Sequence, residues 1–344
     1  MHDEADAGRR IGERRRALGL TQSQLAARAQ VSRALVGALE RGRHMPAADA
    51  AVRLARALDA SVERLFAPNE PVPGLRAVPV VGPGLPDGVL VRAAQVGGVQ
   101  VARVVDPLSS LSAAADGVVV DGRVRLFAGA APRGAVVAGC DPVLGVAERL
   151  LEAAGPARIV GVPASTAQAI KALEAGRCHA ALVHGPRARL KPGPGLQRWH
   201  FARWRSGVAS HPRLAHPSLE ALLGGDVELV QRDRGAACQQ AVDRAARRLG
   251  MPRPVAHRTA PGHLDAARTA LEHGVAAVAI EPVAVAMGLD FTALEVHDVQ
   301  LWVPEDWTRL PGLRALLDLL GSARFRDRAG ALAAYDFEDT GAVR

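Results

Sequence analysis

Residues 21–43, TQSQLAARAQVSRALVGALERGR, decide the fold of the N-terminal region. Thr21 is a favourable N-cap, and Gln24 three residues later completes a capping box, so a helix is expected to start here. Leu25 and Ala26 are its apolar positions. It should end near Ala29 and Gln30, because Ser32 offers a second N-cap. A second helix is expected over 33–41, with Leu35, Val36 and Leu39 spaced to face inward and Gly42 stopping it. Two capped helices joined by a tight turn make a helix-turn-helix, whose second helix can enter the DNA major groove.

Working outward, residues 11–20 form a basic helix closed by Gly19, and RHMP at 43–46 leads into an apolar helix over 50–58 and a last turn at 61–66. The runs RRRALGLTQSQLAARAQVSRALVGALERGRHMP and LARALDASVERLF resemble the Cro/repressor-like (XRE) helix-turn-helix family over residues 9–66. That resemblance implies a double-stranded DNA operator as partner. A homodimer is expected as well, since one short recognition helix seldom gives enough affinity and two spaced half-sites do. Arg33 is the candidate for reading bases, because the N-terminal residues of the second helix face base edges. Ala34 and Gly37 occupy neighbouring groove-facing positions, Gly37 permitting close approach only. Gln22 and Ser32, at helix N-termini, together with Arg41 and Arg43, are candidates for phosphate contacts. Glu40 is expected to pair with an arginine.

A chain of 344 residues suits two or three domains, and 49% hydrophobic content supplies their cores, which excludes long-range disorder. The net charge of +8 suits a polyanionic partner. It supports DNA binding without establishing it, because Lys171 and Lys191 are the only lysines and the Arg, Ala, Gly and Val content looks like a genome-wide bias. The opening MHDEADAG is acidic and lacks the apolar core of a signal peptide. The longest apolar run, 275–287, is short for a bilayer span and carries Glu281. A cytoplasmic protein without membrane association is therefore expected, with Cys140, Cys178 and Cys238 as reduced thiols. Their distant spacing gives no zinc signature, so no metal and no resident cofactor are expected. None of the three has a His and an acid assignable to it by sequence, and no Gly-rich nucleotide loop is present, so an enzyme is not expected.

After a Pro-rich linker at 67–74, two hairpins are expected: 89–104 around Gly97-Gly98, and 117–127 around Asp121-Gly122. From Gly134 short apolar strands alternate with helices, which implies a parallel sheet covered on both faces, with ligands bound beyond the C-terminal strand ends. The fold class is thus multidomain. An all-α helix-turn-helix domain occupies 1–68, a linker and small β-hairpin module 69–133, and an α/β ligand-sensing domain 134–344.

The runs VVAGCDPVLGVAERLLEAAG, VPASTAQAIKALEAGRCHAALVHG and HLDAARTALEHGVAAVAIEPVAVAMGLDF resemble the periplasmic-binding-protein-like domain of molybdate-binding type, which occurs fused behind XRE domains. The resemblance implies a two-lobed (type II) fold with crossings near 205–208 and 281–285. It also implies a small-molecule effector, such as the oxyanions molybdate or tungstate, that modulates operator binding. Ser165 and Thr166 at a helix start offer hydroxyls and free N–H groups to an anion, with an N-cap as the bland reading. Asp141, His184, Arg232, Arg234 and Glu281 complete the candidate ligand set. The stretch RDRGAACQ at 232–239 departs from the hydroxyl-rich Gly-Ser-Gly-Thr-Arg-like run of such domains, leaving Arg232 and Arg234 as its positive charge. The alternative is a non-sensing dimerisation or protein-interaction scaffold, which a sealed cleft would favour. Among the histidines only the adjacent Cys178-His179 approaches a ligand pair, and those side chains point to opposite faces of a strand. Trp199, Phe201 and Trp204 are expected to plug a lobe interface rather than line a ligand pocket.

Overall fold

In the computed structural model, which describes residues 2–66, 74–106 and 114–343, the chain separates into two units, Met1–Gly74 and Leu75–Arg344. The first is all helical: α1 (His2–Ala17), α2 (Gln22–Ala29), α3 (Arg33–Glu40), α4 (Ala48–Ala57) and α5 (Val62–Phe66). Thr21 and Gln24 form the expected capping box, Gln30 closes α2 in the left-handed region (φ 53°), and Ser32 caps α3 by accepting from the Leu35 N–H. Helix α1 begins well before residue 11, where its basic part was expected to start. Ile11, Leu25, Val36, Leu39, Leu54 and Leu58 are fully buried together. Each such side chain contributes about 1.5–3 kcal/mol through burial, which fixes α3 against the other helices.

The second unit opens with a five-stranded sheet in the order β1-β3-β2-β4-β5, from β1 (Val78–Pro79), β2 (Leu90–Val96), β3 (Val99–Val104), β4 (Gly117–Val120) and β5 (Arg123–Leu126). Both expected hairpins are present, and Asp121 and Gly122 turn the second with φ of 51° and 67°. Val80, Ala94, Val96 and Val101 of this region share a core with Val136, Ala138, Val160 and Val162. Arg92 joins them electrostatically to the following helix, 2.5 Å from Glu148 and 2.6 Å from Glu152.

Next come β6 (Ala135–Gly139), α6 (Val143–Ala154), β7 (Ile159–Val162), α7 (Thr166–Glu174), β8 (Ala180–Gly185), β9 (Leu196–Ser210), α8 (Leu219–Gly224), β10 (Leu229–Arg232), α9 (Ala237–Arg248), β11 (Arg258–Ala260), α10 (His263–His273), β12 (Ala276–Ile280), α11 (Glu281–Ala286), β13 (Asp290–Pro304), α12 (Pro311–Leu320) and α13 (Ala323–Ala329). The sheet runs β11-β10-β12-β9-β13-β8-β6-β7. It is mixed rather than all parallel: β6, β7 and β8 pair in parallel, as do β10, β11 and β12, but β9 and β13 run antiparallel through its centre. The second lobe crossing is therefore on β13 and not near 281–285, which is helix α11. The N-terminal part of β9 faces the first lobe, its end pairs with β12, and β13 pairs with β8 only over 298–302. A register shift between Ala293 and Glu295 marks the change on β13.

Candidate effector cleft and DNA-facing helix

On α3, Arg33 and Ala34 are exposed, as are the cap Ser32 and the following Arg41 and Arg43. Gly37 is buried: a Cβ there would stand 3.2 Å from the Arg41 guanidinium, so that side chain and not open groove covers it. Gln22 is turned inward, donating to Glu40 Oε2 at 2.8 Å. Glu40 also receives Arg15 at 2.6 Å, the arginine pairing expected for it. Burial alone would push the Glu40 carboxyl up, yet the hydrogen bonds from Arg15 and Gln22 hold it below its ordinary value. Glu40 thus ties α3 to α1 and α2, leaving the N-terminal end of α3 outward.

In the α/β unit a cavity of about 370 Å³ opens beyond the ends of β6 and β7 and against the start of α10. Cys140, Pro142, Val162, His263 and Leu264 line it, with Arg103 of β3 at one side. The position follows from topology, since strands ending in parallel leave a crevice at their carboxyl ends. Arg103 Nη1 donates to the Gly161 carbonyl at 2.5 Å, while its buried Nε has no acceptor among the described residues.

Behind the cavity a polar cluster fills the gap between the lobes. Cys140 Sγ lies 3.1 Å from His184 Nε2 and 3.4 Å from His263 Nε2. His184 Nδ1 is 3.1 Å from His297 Nδ1, and His297 Nε2 is 3.3 Å from Glu295. Arg232 donates to His263 Nδ1 at 2.8 Å, and Arg244 grips Glu295 through two contacts of 2.7 Å. Burial pushes His184 and His263 well below the usual imidazole value, helped by the positive Arg232, and it lowers His297 against the opposing pull of Glu295. The Glu295 carboxyl, which burial would raise, is brought to about 2 by Arg244 and His297. Burial raises the Cys140 thiol to about 11, although Arg232 opposes this. Spacing in the chain gave Cys140 no histidine or acid partner; tertiary structure supplies both, and His297 and Glu295 carried no signal beyond lying in a polar-apolar alternation on β13.

The residues expected to hold a ligand are dispersed. Ser165 is fully buried and closes its own capping box with Gln168, so its hydroxyl serves the helix. The Thr166 hydroxyl bonds the backbone of His184 at 3.3 Å. Asp141 does line the cavity, but it is buried and accepts from the Val143 N–H, Trp204 Nε1 (2.8 Å) and Tyr335 (3.0 Å), while burial raises its carboxyl. Arg232 is 2% exposed and spends its donors on His263, the Ala260 carbonyl and the Pro261 carbonyl, offering no open positive charge. Arg234 is exposed, and Glu281 pairs with Arg205. His184 is buried behind Cys140 and does not line the cavity. Trp204 packs on His184 with ring centroids 4.7 Å apart and on His297 at 5.4 Å, filling the lobe interface, while Phe201 packs on Phe325. Among the described residues no helix is long and apolar enough to cross a membrane.

Residues 11–65 match a helix-turn-helix family, and residues 147–321, half of the chain, match the PBP superfamily domain. The chain belongs to the PBP superfamily, with a helix-turn-helix domain at its N-terminus. It is similar to an uncharacterized HTH-type transcriptional regulator of Methanothermobacter thermautotrophicus, 46% identical over 61 residues, 17% of this chain and 88% of the relative. Among solved structures it is similar to the restriction-modification controller protein C.AhdI from Aeromonas hydrophila (36% identity, 19% of this chain, 100% of that one, TM-score 0.19). It is also similar to the effector-binding domain of a BenM variant (14% identity, 59% of this chain, 98% of that one, TM-score 0.41). This PBP-superfamily chain is a transcriptional regulator that couples a DNA-binding domain to a domain of ligand-binding type.

Proposed function

We propose that the regulator acts as a homodimer on a double-stranded operator and that a small molecule in the cleft of the α/β unit changes its operator affinity. The observation that carries this reading is the 370 Å³ cavity beyond the ends of β6 and β7, which Arg103, Cys140 and His263 line together. At the DNA, Arg33 and Ala34 take the base-facing positions, and Ser32, Arg41 and Arg43 the phosphate contacts; Gln22 is engaged with Glu40. A protein of this kind works in the cytoplasm.

Molybdate or tungstate is the narrower form of the reading. The commitments of Ser165, Thr166 and Arg232 to internal partners favour an organic ligand with an acceptor group instead. The test is thermal melting of the full-length protein against molybdate, tungstate, sulfate and a panel of small carboxylates and carbonyl compounds. A ligand at a hundred times its Kd should stabilise its domain by about 2.7 kcal/mol. Retardation of an operator selected from random duplexes, with and without the stabilising compound, then checks the coupling. If no compound moves the melting point, the scaffold reading replaces this one.

A further inference from the structure

With the thiol and the imidazoles neutral, one arrangement of hydrogens satisfies the contacts of the cluster behind the cleft. Arg232 can only donate, so His263 accepts at Nδ1 and, as a neutral imidazole, carries its hydrogen on Nε2, toward Cys140. The Glu295 carboxylate can only accept, so His297 donates from Nε2 and presents a lone pair at Nδ1. His184 therefore donates from Nδ1 to His297, and its Nε2 lone pair faces the Cys140 sulfur at 3.1 Å. Cys140 donates its S–H to that lone pair. The chain of donors runs in one direction from Arg232 to Glu295, with the thiol in its middle. This is a nucleophile, a base and two groups that orient the base. Cys140 is half-buried at the cavity, whereas Cys178 and Cys238 are sealed.

We infer that Cys140 is a nucleophile, with His184 as its general base, that captures a small α,β-unsaturated carbonyl compound in the cleft. The inference deepens the sensing reading and rests on it. In the step the Cys140 sulfur bonds to the β-carbon of the ligand and the C=C π bond breaks. The thiol proton passes to His184 Nε2, while Nδ1–H to His297, backed by the Glu295 carboxylate, stabilises the imidazolium. The resulting enolate takes that proton back at its α-carbon, so the step is an addition with no leaving group and no oxidant.

A metal ion is the rival occupant. Sulfur and nitrogen ligands of a tetrahedral zinc stand about 3.5 Å apart, close to the distances from Cys140 to His184 and His263, and these three residues do converge. The guanidinium on His263 Nδ1 opposes it, because metal-bound histidines present that far nitrogen as a donor to an acceptor.

The experiment treats the full-length protein with methyl vinyl ketone and follows adducts by intact mass and peptide mapping across pH. The ionisable groups facing the sulfur are His184, His263, Arg232, Asp141, Asp233, Cys238 and Tyr335. One adduct is expected, on Cys140, with a rate that is flat between about pH 7 and 9, because base and thiol both keep their protonation there. His184→Gln should slow the rate at least about tenfold at pH 7 and make it rise about tenfold per pH unit, as only free thiolate then reacts. The other facing groups are common to both proteins and cancel. A tenfold-per-unit rise in the unaltered protein overturns the proposal without any variant, as does the absence of a Cys140 adduct. Zinc binding lost equally in Cys140→Ser and His263→Gln overturns it in favour of a metal site. Retardation of the selected operator separates the two readings. An adduct that leaves operator affinity unchanged sinks the sensing role, whereas no adduct together with a reversible ligand that shifts affinity sinks only the covalent chemistry.

Discussion

Glu40 and Arg15 are each little exposed and meet at 2.6 Å, with Gln22 as a third member. Removing the carboxylate leaves a guanidinium and an amide without their partner, so Glu40→Ala should cost the helical unit about 2–3 kcal/mol, read as a lower urea midpoint. Because the folded-state carboxyl lies below its ordinary value, its stabilisation is present above the unfolded carboxylate value near 4.3 and is lost as pH falls below it. Arg33 is exposed and has no hydrogen-bond or ion-pair partner among the described residues. Arg33→Ala should therefore leave melting unchanged and weaken binding to the selected operator by about 1–3 kcal/mol, and a loss of thermal stability would argue against a base-reading role.

At the scale of elements, α3 depends on its cap. Ser32→Ala removes the acceptor for the Leu35 N–H and should cost about 1 kcal/mol, measurable by thermal melting. The crossing of β9 over β13 depends on Gly207, whose added Cβ would strike the Thr292 carbonyl and the Phe291 ring. Backbone cannot yield as a flexible side chain does, so Gly207→Ala should lower the stability of the α/β unit by roughly 1–3 kcal/mol while leaving the helical unit intact. Limited proteolysis resolved by fragment would show which unit loosens. The second crossing escaped the sequence reading, while the first fell on β9 near 205–208 as the resemblance implied. LQRWHFARWRSGVAS and DFTALEVHDVQLWVP interrupt their apolar positions with charges that pair with neighbouring elements, Arg203 with Asp298 between the two strands and Glu295 with Arg244 of α9. Short strands such as β6, buried on both faces, announced themselves as unbroken apolar runs.

For the whole molecule, the buried imidazoles give the α/β unit a pH limit. His184, His263 and His297 are held below the usual imidazole value, and burial lowers His179 to about 4. A base depressed on folding contributes stability that is present above its unfolded value of about 6.5 and is lost progressively as pH falls from there toward the folded value. Melting of the α/β unit should therefore drop between about pH 7 and pH 5, before most carboxylates titrate. Replacing His297 with Gln should flatten that drop, and an unchanged pH dependence in this variant would show that the cluster does not govern it.

The N-terminal domain was determined by sequence almost in full. Thr21, Gln24, Ser32, Leu25, Val36 and Leu39 act within a few residues of one another, and local interactions are what a one-dimensional pattern records. The alternation of strands and helices and the two hairpin turns were legible for the same reason. The cleft of the α/β unit was only partly legible. Its place beyond the strand ends followed from the alternation, but its chemistry did not. Cys140, His184, Arg232, His263 and His297 come from five separate elements, and no spacing in the chain encodes their meeting. Only the antiparallel passage of β9 and β13 through the sheet, with Trp204 and Glu295 at the lobe junction, brings the imidazoles behind the thiol. Tertiary structure likewise decided that Ser165 caps its helix and that Arg232 holds the His263 loop, since a hydroxyl or a guanidinium can serve a ligand only if the fold leaves it unspent.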